Sequence, residues 1–364
     1  MKNIISILIL LCFVGNVVAQ DIQGTAGKIW YSNDHLYVNI LDKGILVIDN
    51  TKPESPKKLG FIQIPGNVDL AVRGDVLYAN NYDDLIALDI KKLEKINKKS
   101  VLERFESVFT QYEAKKDKDE IKWIKPSKNR FMASSSGMVS SSKGGSMACF
   151  SLVDDYLYTL TPSSIQTFNV KKADKPKRAG KTEISGDTYE TIFSNGENLF
   201  VGGQAGMYIF DIDNPNEPQL LSEYHHMQSC DPVVVEGDFA YVTLRDGNIC
   251  GRNEAINRLE IVDISNPSNP RKVSSNKLSN PRGLAVDKRF VFVCDGDAGL
   301  KIIDANNPKK VRLVETYNDI SSTYDIINIP AKKLLILVGG KSVIQYDYSS
   351  VENLKKLSLF KTTL

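Results

Sequence analysis

The sequence predicts an all-β protein, a seven-bladed β-propeller of four-stranded antiparallel blades, and three observations carry that reading. An apolar burst closed by Asp or Asn recurs at Asp49, Asp89, Asn169, Asp211, Asp263, Asp304 and Asp347, with gaps of 40, 80, 42, 52, 41 and 43 residues. A period near 40 residues built from short strands marks propeller blades. A pair of apolar or aromatic residues opens an earlier strand before each burst: Leu36-Tyr37, Leu77-Tyr78, Leu157-Tyr158, Leu199-Phe200, Ala240-Tyr241, Val291-Phe292 and Leu335-Ile336. Between the two marks lie polar, glycine-containing turns such as Gly202-Gly203-Gln204-Ala205-Gly206, which are hairpin signals.

At the N-terminus, Met1-Lys2-Asn3 precedes an apolar run from Ile4 to Val14 and the small-residue pattern Val17-Val18-Ala19. This is the layout of a secretory signal peptide over residues 1–19, cut between Ala19 and Gln20. The mature chain, 20–364, is then a single propeller domain. Cys12 follows Leu10-Leu11 inside the apolar run and not a small residue, so no lipid anchor is expected. No later stretch is apolar for long enough to span a bilayer. The expected destination is the periplasm, the cell surface or the medium.

Each unit reads as four strands. In the sixth these are 283–286, 290–293, 300–303 and 311–314, and the turn Asp295-Gly296-Asp297-Ala298-Gly299 joins the middle two. Third strands such as Ile45-Leu46-Val47-Ile48 are apolar at successive positions, as expected of a strand buried on both faces between blades. Prolines stand four and seven residues after the closing acid at Asp49-Pro53-Pro56, Asp211-Pro215-Pro218 and Asp263-Pro267-Pro270. Proline fixes φ and removes a ladder donor, and an aspartate side chain caps the amides of a following turn. These aspartates are therefore read as turn-formers, not as catalytic acids.

The 80-residue gap holds one extra excursion, placed at about 97–145. Its first half is charged with scattered aromatics (Arg104-Phe105, Phe109, Trp123) and its second half is Ser/Gly-rich, as in flexible loops. An eighth, degenerate blade would need its own pair of marks, and none lies in that stretch. The 52-residue gap comes from a longer hairpin in the fifth unit, from Arg245 to Arg258.

Several of these segments together resemble the LVIVD-repeat family of exported bacterial β-propeller proteins. The resemblance rests on Leu259-Glu260-Ile261-Val262-Asp263, Gly44-Ile45-Leu46-Val47-Ile48-Asp49, Pro65-Gly66-Asn67-Val68-Asp69, Gly144-Gly145-Ser146-Met147-Ala148, Ser229-Cys230-Asp231-Pro232-Val233-Val234-Val235 and Val293-Cys294-Asp295-Gly296-Asp297-Ala298-Gly299-Leu300. It implies the fold and export, and implies no reaction. Many relatives look like lipoproteins; this chain departs from them at the processing site.

Composition excludes some functions. Lys and Arg number 46 against 44 Asp and Glu, so there is no polyanion-binding imbalance and nucleic acid is not an expected partner. Aligning the first strand of each unit brings Asp69, Glu190, Asp231 and Asp325, with Arg282, to one mouth of the central channel. These five are the candidate ligand-binding residues. The four carboxylates are candidate ligands for a hard cation such as Ca²⁺. Cys230 and Cys250 are the expected disulfide, worth about 3 kcal/mol in the chain-entropy account. Cys149 and Cys294 read as core. His225 and His226 are adjacent, so on a strand they face opposite ways and cannot chelate one metal as a pair. Neither a Ser-His-Asp set nor a phosphate loop is recognisable. The expected function is a non-enzymatic binding module at the cell envelope, monomeric, with a protein, glycan or small ligand as partner. The alternative is a metal-dependent hydrolase or lactonase-like enzyme using the acidic mouth.

Overall fold

The computed structural model describes residues 24–109, 117–126, 143–226, 232–246 and 257–363. The signal-peptide stretch 1–19, its cleavage point and the cysteines Cys230 and Cys250 lie outside the described residues. Those described form seven antiparallel sheets in chain order, the propeller that the repeat predicts. The innermost strands are Ala26–Ser32, Leu70–Arg73, Phe150–Val153, Tyr189–Ser194, Val233–Glu236, Leu284–Asp287 and Thr323–Ile329. The fourth strands, on the outside, are Lys57–Gln63, Val101–Phe105, Lys177–Glu183, Gln219–His225, Arg271–Lys277, Arg312–Tyr317 and Lys355–Lys361. No α-helix occurs among the described residues, and none there could cross a membrane.

Middle strands are buried on both faces, as Gly44–Asp49 and Gly206–Asp211 show. Outer strands such as Arg271–Lys277 and Lys355–Lys361 carry exposed lysines along edges that would otherwise offer unpaired backbone groups. In every blade the register shifts between the third and fourth strands. Such bulges add twist and bend the outer strand.

All seven marking residues shape turns. The side-chain oxygen of Asp49, Asp89, Asn169, Asp211, Asp263, Asp304 or Asp347 accepts a hydrogen bond from the amide two residues on, at 2.6–3.1 Å. Asp49, Asp263 and Asp347 also accept from the hydroxyl of that same residue.

Blades one and seven each hold their own four consecutive strands, so the ring closes by packing and not by sharing a strand. One apolar cluster joins Ile29, Val38 and Leu46 to Ile327, Ile336 and Val343. Beside it, the buried amides of Asn50 and Gln345 exchange two hydrogen bonds of 2.8 Å.

The excursion is where sequence and structure differ. Val101–Phe105 is the outer strand of the second blade, although it falls within the stretch 97–145 read as inserted. Chain beyond it packs closely where described. Lys118 pairs with Asp83 and Asp84, Arg104 with Asp84 at 2.7 Å, and the Tyr82 hydroxyl donates to Asp117. Lys122–Ile124 then pairs with Lys57–Gln63 as a fifth, outermost strand of the first blade. Gly60 makes this fit, because a Cβ there would strike the Trp123 ring. Lys143–Gly144 pairs with Ala26–Ser32 on the inner side of the same blade. The first blade is thus a six-stranded sheet, flanked on its outer and channel-facing edges by chain that follows the second blade.

Candidate functional site: the mouth of the central channel

Residues 143–149 run inside the channel and are held there by five blades. Lys143 Nζ donates to Asn328 Oδ1 at 2.6 Å in the seventh blade. The Gly145 amide donates to Ile29 O at 3.1 Å in the first. Ser146 Oγ accepts from the Leu284 amide at 2.8 Å in the sixth, and Ala148 O from the Ile192 amide at 2.9 Å in the fourth. The Cys149 amide donates to Asp69 Oδ2 in the second. Two cavities flank the segment: one of about 320 Å³ bounded by Trp30, Phe150 and Ile192, and one of about 110 Å³ bounded by Val234, Leu284 and Ile326. The channel is floored by the chain's own backbone.

Four of the five expected mouth residues do come together there: Asp69, Glu190, Arg282 and Asp325. Asp231 lies outside the described residues. Asp69 is fully engaged within the protein. Its Oδ2 accepts from Lys28 Nζ at 3.0 Å and from the Cys149 amide, and its Oδ1 accepts from the Leu70 amide at 2.7 Å. Burial pushes its carboxyl upward, against Lys28 and these amides, which favour the charged form. Burial also opposes the Lys28 charge, but Asp69 and Cys149 beside it leave the ammonium above the ordinary lysine value.

Asp325 is buried outright. Its Oδ1 accepts from the Ile326 amide at 2.9 Å, and the Met147 amide of the channel segment also favours its charge. Burial outweighs both and lifts the carboxyl to about 7. Burial likewise raises Glu190, opposed by a 3.2 Å hydrogen bond from Gln204 and by Arg245. Cys149 accepts from Lys28 Nζ at 3.0 Å and donates to Glu190 O at 3.0 Å, and burial raises its thiol. It is a structural thiol at the mouth and not an activated nucleophile.

Such a donor set suits calcium poorly. A calcium ion asks for six to eight oxygens, whereas Lys28 already serves as the counter-ion of Asp69. Among the described residues, no three His, Cys, Asp or Glu converge as a metal site would require. Asp295 and Asp297 hold turns instead. Asp295 Oδ1 accepts from the amides of Ser279 and Asn280 at 2.9 and 2.7 Å, and Asp297 Oδ1 from that of Ser322 at 2.9 Å.

Sequence reasoning missed Lys28, Cys149, Arg245 and Tyr324 at this mouth. The signal for three of them was in the repeat. Lys28, Asp69, Cys149 and Glu190 occupy the same phase of successive blades, separated by 41, 80 and 41 residues. Arg245 follows the second strand of the fifth blade, Phe239–Leu244, and Tyr324 neighbours Asp325. Arg245 has no basic counterpart in the other blades, whereas Tyr324 matches Tyr189, which likewise precedes an acidic mouth residue.

The LVIVD repeat family matches the chain at residues 23–60, 191–226, 253–276 and 280–319. No curated protein sequence matches it significantly. Among solved structures, a candidate 6-phosphogluconolactonase from Bacteroides fragilis superposes with a TM-score of 0.59 at 12% identity, over 93% of this chain and 95% of that one. A second candidate 6-phosphogluconolactonase, from Bacteroides uniformis, gives 0.57 at 14% identity over 94% and 97%. The computationally designed Ika8 protein gives 0.58 at 10% identity, over 92% and 87%. Such likenesses establish the propeller fold alone.

Proposed function

The chain is an LVIVD-repeat β-propeller, and on that footing we propose that it is an exported, non-enzymatic binding module of the cell envelope. The ligand-facing surface is the channel mouth. The observation that carries this reading is the floor laid by Gly145 to Cys149, which turns a through-channel into a closed bowl with a charged rim. An enzyme of the lactonase or metal-hydrolase type would need its mouth carboxylates free to work on a substrate or hold a metal. Asp69 and Asp325 instead hold the floor and its neighbours in place. Residues 1–19 support export, and the hydroxyl and amide contacts around the floor support a rigid, preorganised bowl.

Position-specific photo-crosslinking in the native host tests the reading. A crosslinker at Asp297, on the mouth side, should yield one discrete adduct in the envelope fraction. The same group at Asp154, on the opposite face, should yield none. Adducts that do not depend on position, or protein retained in the cytoplasm with residues 1–19 attached, would sink the proposal.

A further inference from the structure

The mouth is not uniformly acidic. Arg245 and Arg282, from the fifth and sixth blades, lie at this mouth near enough for their charges to oppose each other. Thr243 Oγ1 donates to the Arg282 carbonyl at 2.7 Å, which ties the two blades together at this level. Side chains two apart on an extended chain share a face, so Arg245 projects the same way as Thr243, toward Arg282. The Arg282 backbone is itself fixed by a 2.7 Å bond from its amide to Cys294 O. Its guanidinium lies over the Tyr324 ring, 5.7 Å from the centroid.

Both guanidiniums are half-buried, and neither has a hydrogen bond or ion pair with another described residue. A guanidinium presents five N–H donors in a fixed fork that matches carboxylate and phosphate oxygens. With no acceptor for either fork among the described residues, the two like charges repel each other. Burial, and after it the charge of Arg282, holds Arg245 below the ordinary arginine value, with Glu190 as the main opposing charge. An anion between them would remove that repulsion and fill the donors at once.

We propose that the channel mouth is an oxyanion site, in which Arg245 and Arg282 together grip the carboxylate or phosphate group of a small molecule while Tyr324 backs Arg282. This rests on the reading of the mouth as the binding surface and gives that surface its ligand chemistry. It also reverses the expectation of a cation there. Asp69 pairs with Lys28, Asp325 meets the floor, and Glu190 accepts from Gln204.

Calorimetric titration of the mature chain with inorganic phosphate and with citrate tests it, beside sodium chloride at equal ionic strength. At least one oxyanion should bind and raise the melting temperature where chloride does not. A response to phosphate alone or to citrate alone identifies which group the site takes. Arg245→Gln and Arg282→Gln should each weaken binding at least tenfold. Arg73→Gln, which removes a pair with Asp155 on the opposite face, should leave it unchanged. Arg282→Lys keeps the charge without the fork and should still lose affinity, which covers the case of a glutamine variant that folds poorly. The proposal fails if neither oxyanion binds more tightly than chloride, or if the Arg245 and Arg282 variants bind as well as the native protein. A mouth-specific cross-link combined with no oxyanion binding would retain the binding module and remove this inference; oxyanion binding lost in the Arg245 and Arg282 variants, without any cross-link, would retain this inference and remove an envelope macromolecule as the partner.

Discussion

Gly145→Ala is the sharpest probe of the channel segment. A Cβ at this position would overlap the carboxylate of Asp325, which is 0% exposed. The carboxyl would have to leave the Ile326 amide, and a buried donor left without its acceptor costs about 1–3 kcal/mol. Forcing an extra methyl into a packed interior costs about 1–3 kcal/mol more. The expected loss is about 2–6 kcal/mol, read as a fall in urea midpoint at unchanged m-value. The cause can be isolated with a second substitution. Asp325→Ala destabilises alone by orphaning the same amides, but it clears the volume that the new methyl needs. The double variant should therefore be more stable than the sum of the two losses by about 2 kcal/mol, since contacting sites couple. A Gly145→Ala protein within about 1 kcal/mol of the native one, or two losses that simply add, would show that the segment does not thread the channel as described.

Two further outcomes follow from the same surroundings. Burial lifts the folded Asp325 carboxyl to about 7 from 3.8, so its contribution to stability is full below about pH 4 and is lost as pH rises to about 7, at roughly 1.4 kcal/mol per pH unit. Asp325→Asn should remove this slope, and a difference between native and variant unfolding free energies that stays flat across this range would contradict it. In the unreduced, denatured mature chain only Cys149 and Cys294, both free in the structure, should react with a thiol reagent, with Cys230 and Cys250 appearing after reduction; four reactive thiols before reduction would rule out the expected disulfide.

How much of this was legible depends on whether a feature repeats. The seven closing residues could be read as turn-formers because a side chain that every blade carries answers a need of every blade, and each does cap its turn. The acidic positions at the strand starts were legible for the same reason in reverse, since they share a phase but differ in identity. Lys28 was overlooked although it shares that phase, and it changes the chemistry, because a lysine 3.0 Å from Asp69 replaces the cation that a row of carboxylates suggests. The place of the channel segment could not be read. Gly144-Gly145-Ser146 has the composition of a flexible linker, yet Gly144 lies against the Trp30 ring, Gly145 against Asp325, and Ser146 Oγ holds the Leu284 amide. Small residues serve a loop that needs freedom and a strand that must pass through a crowded channel equally well, and composition cannot separate the two. Only the neighbours do. The Arg245–Arg282 pair is opaque for a related reason. The two arginines come from different blades and different strand ends, 37 residues apart, so no period relates them and only the ring places their charges together. Repetition in this chain reports how a blade is built, and the surface that can discriminate a ligand arises where unlike blades meet.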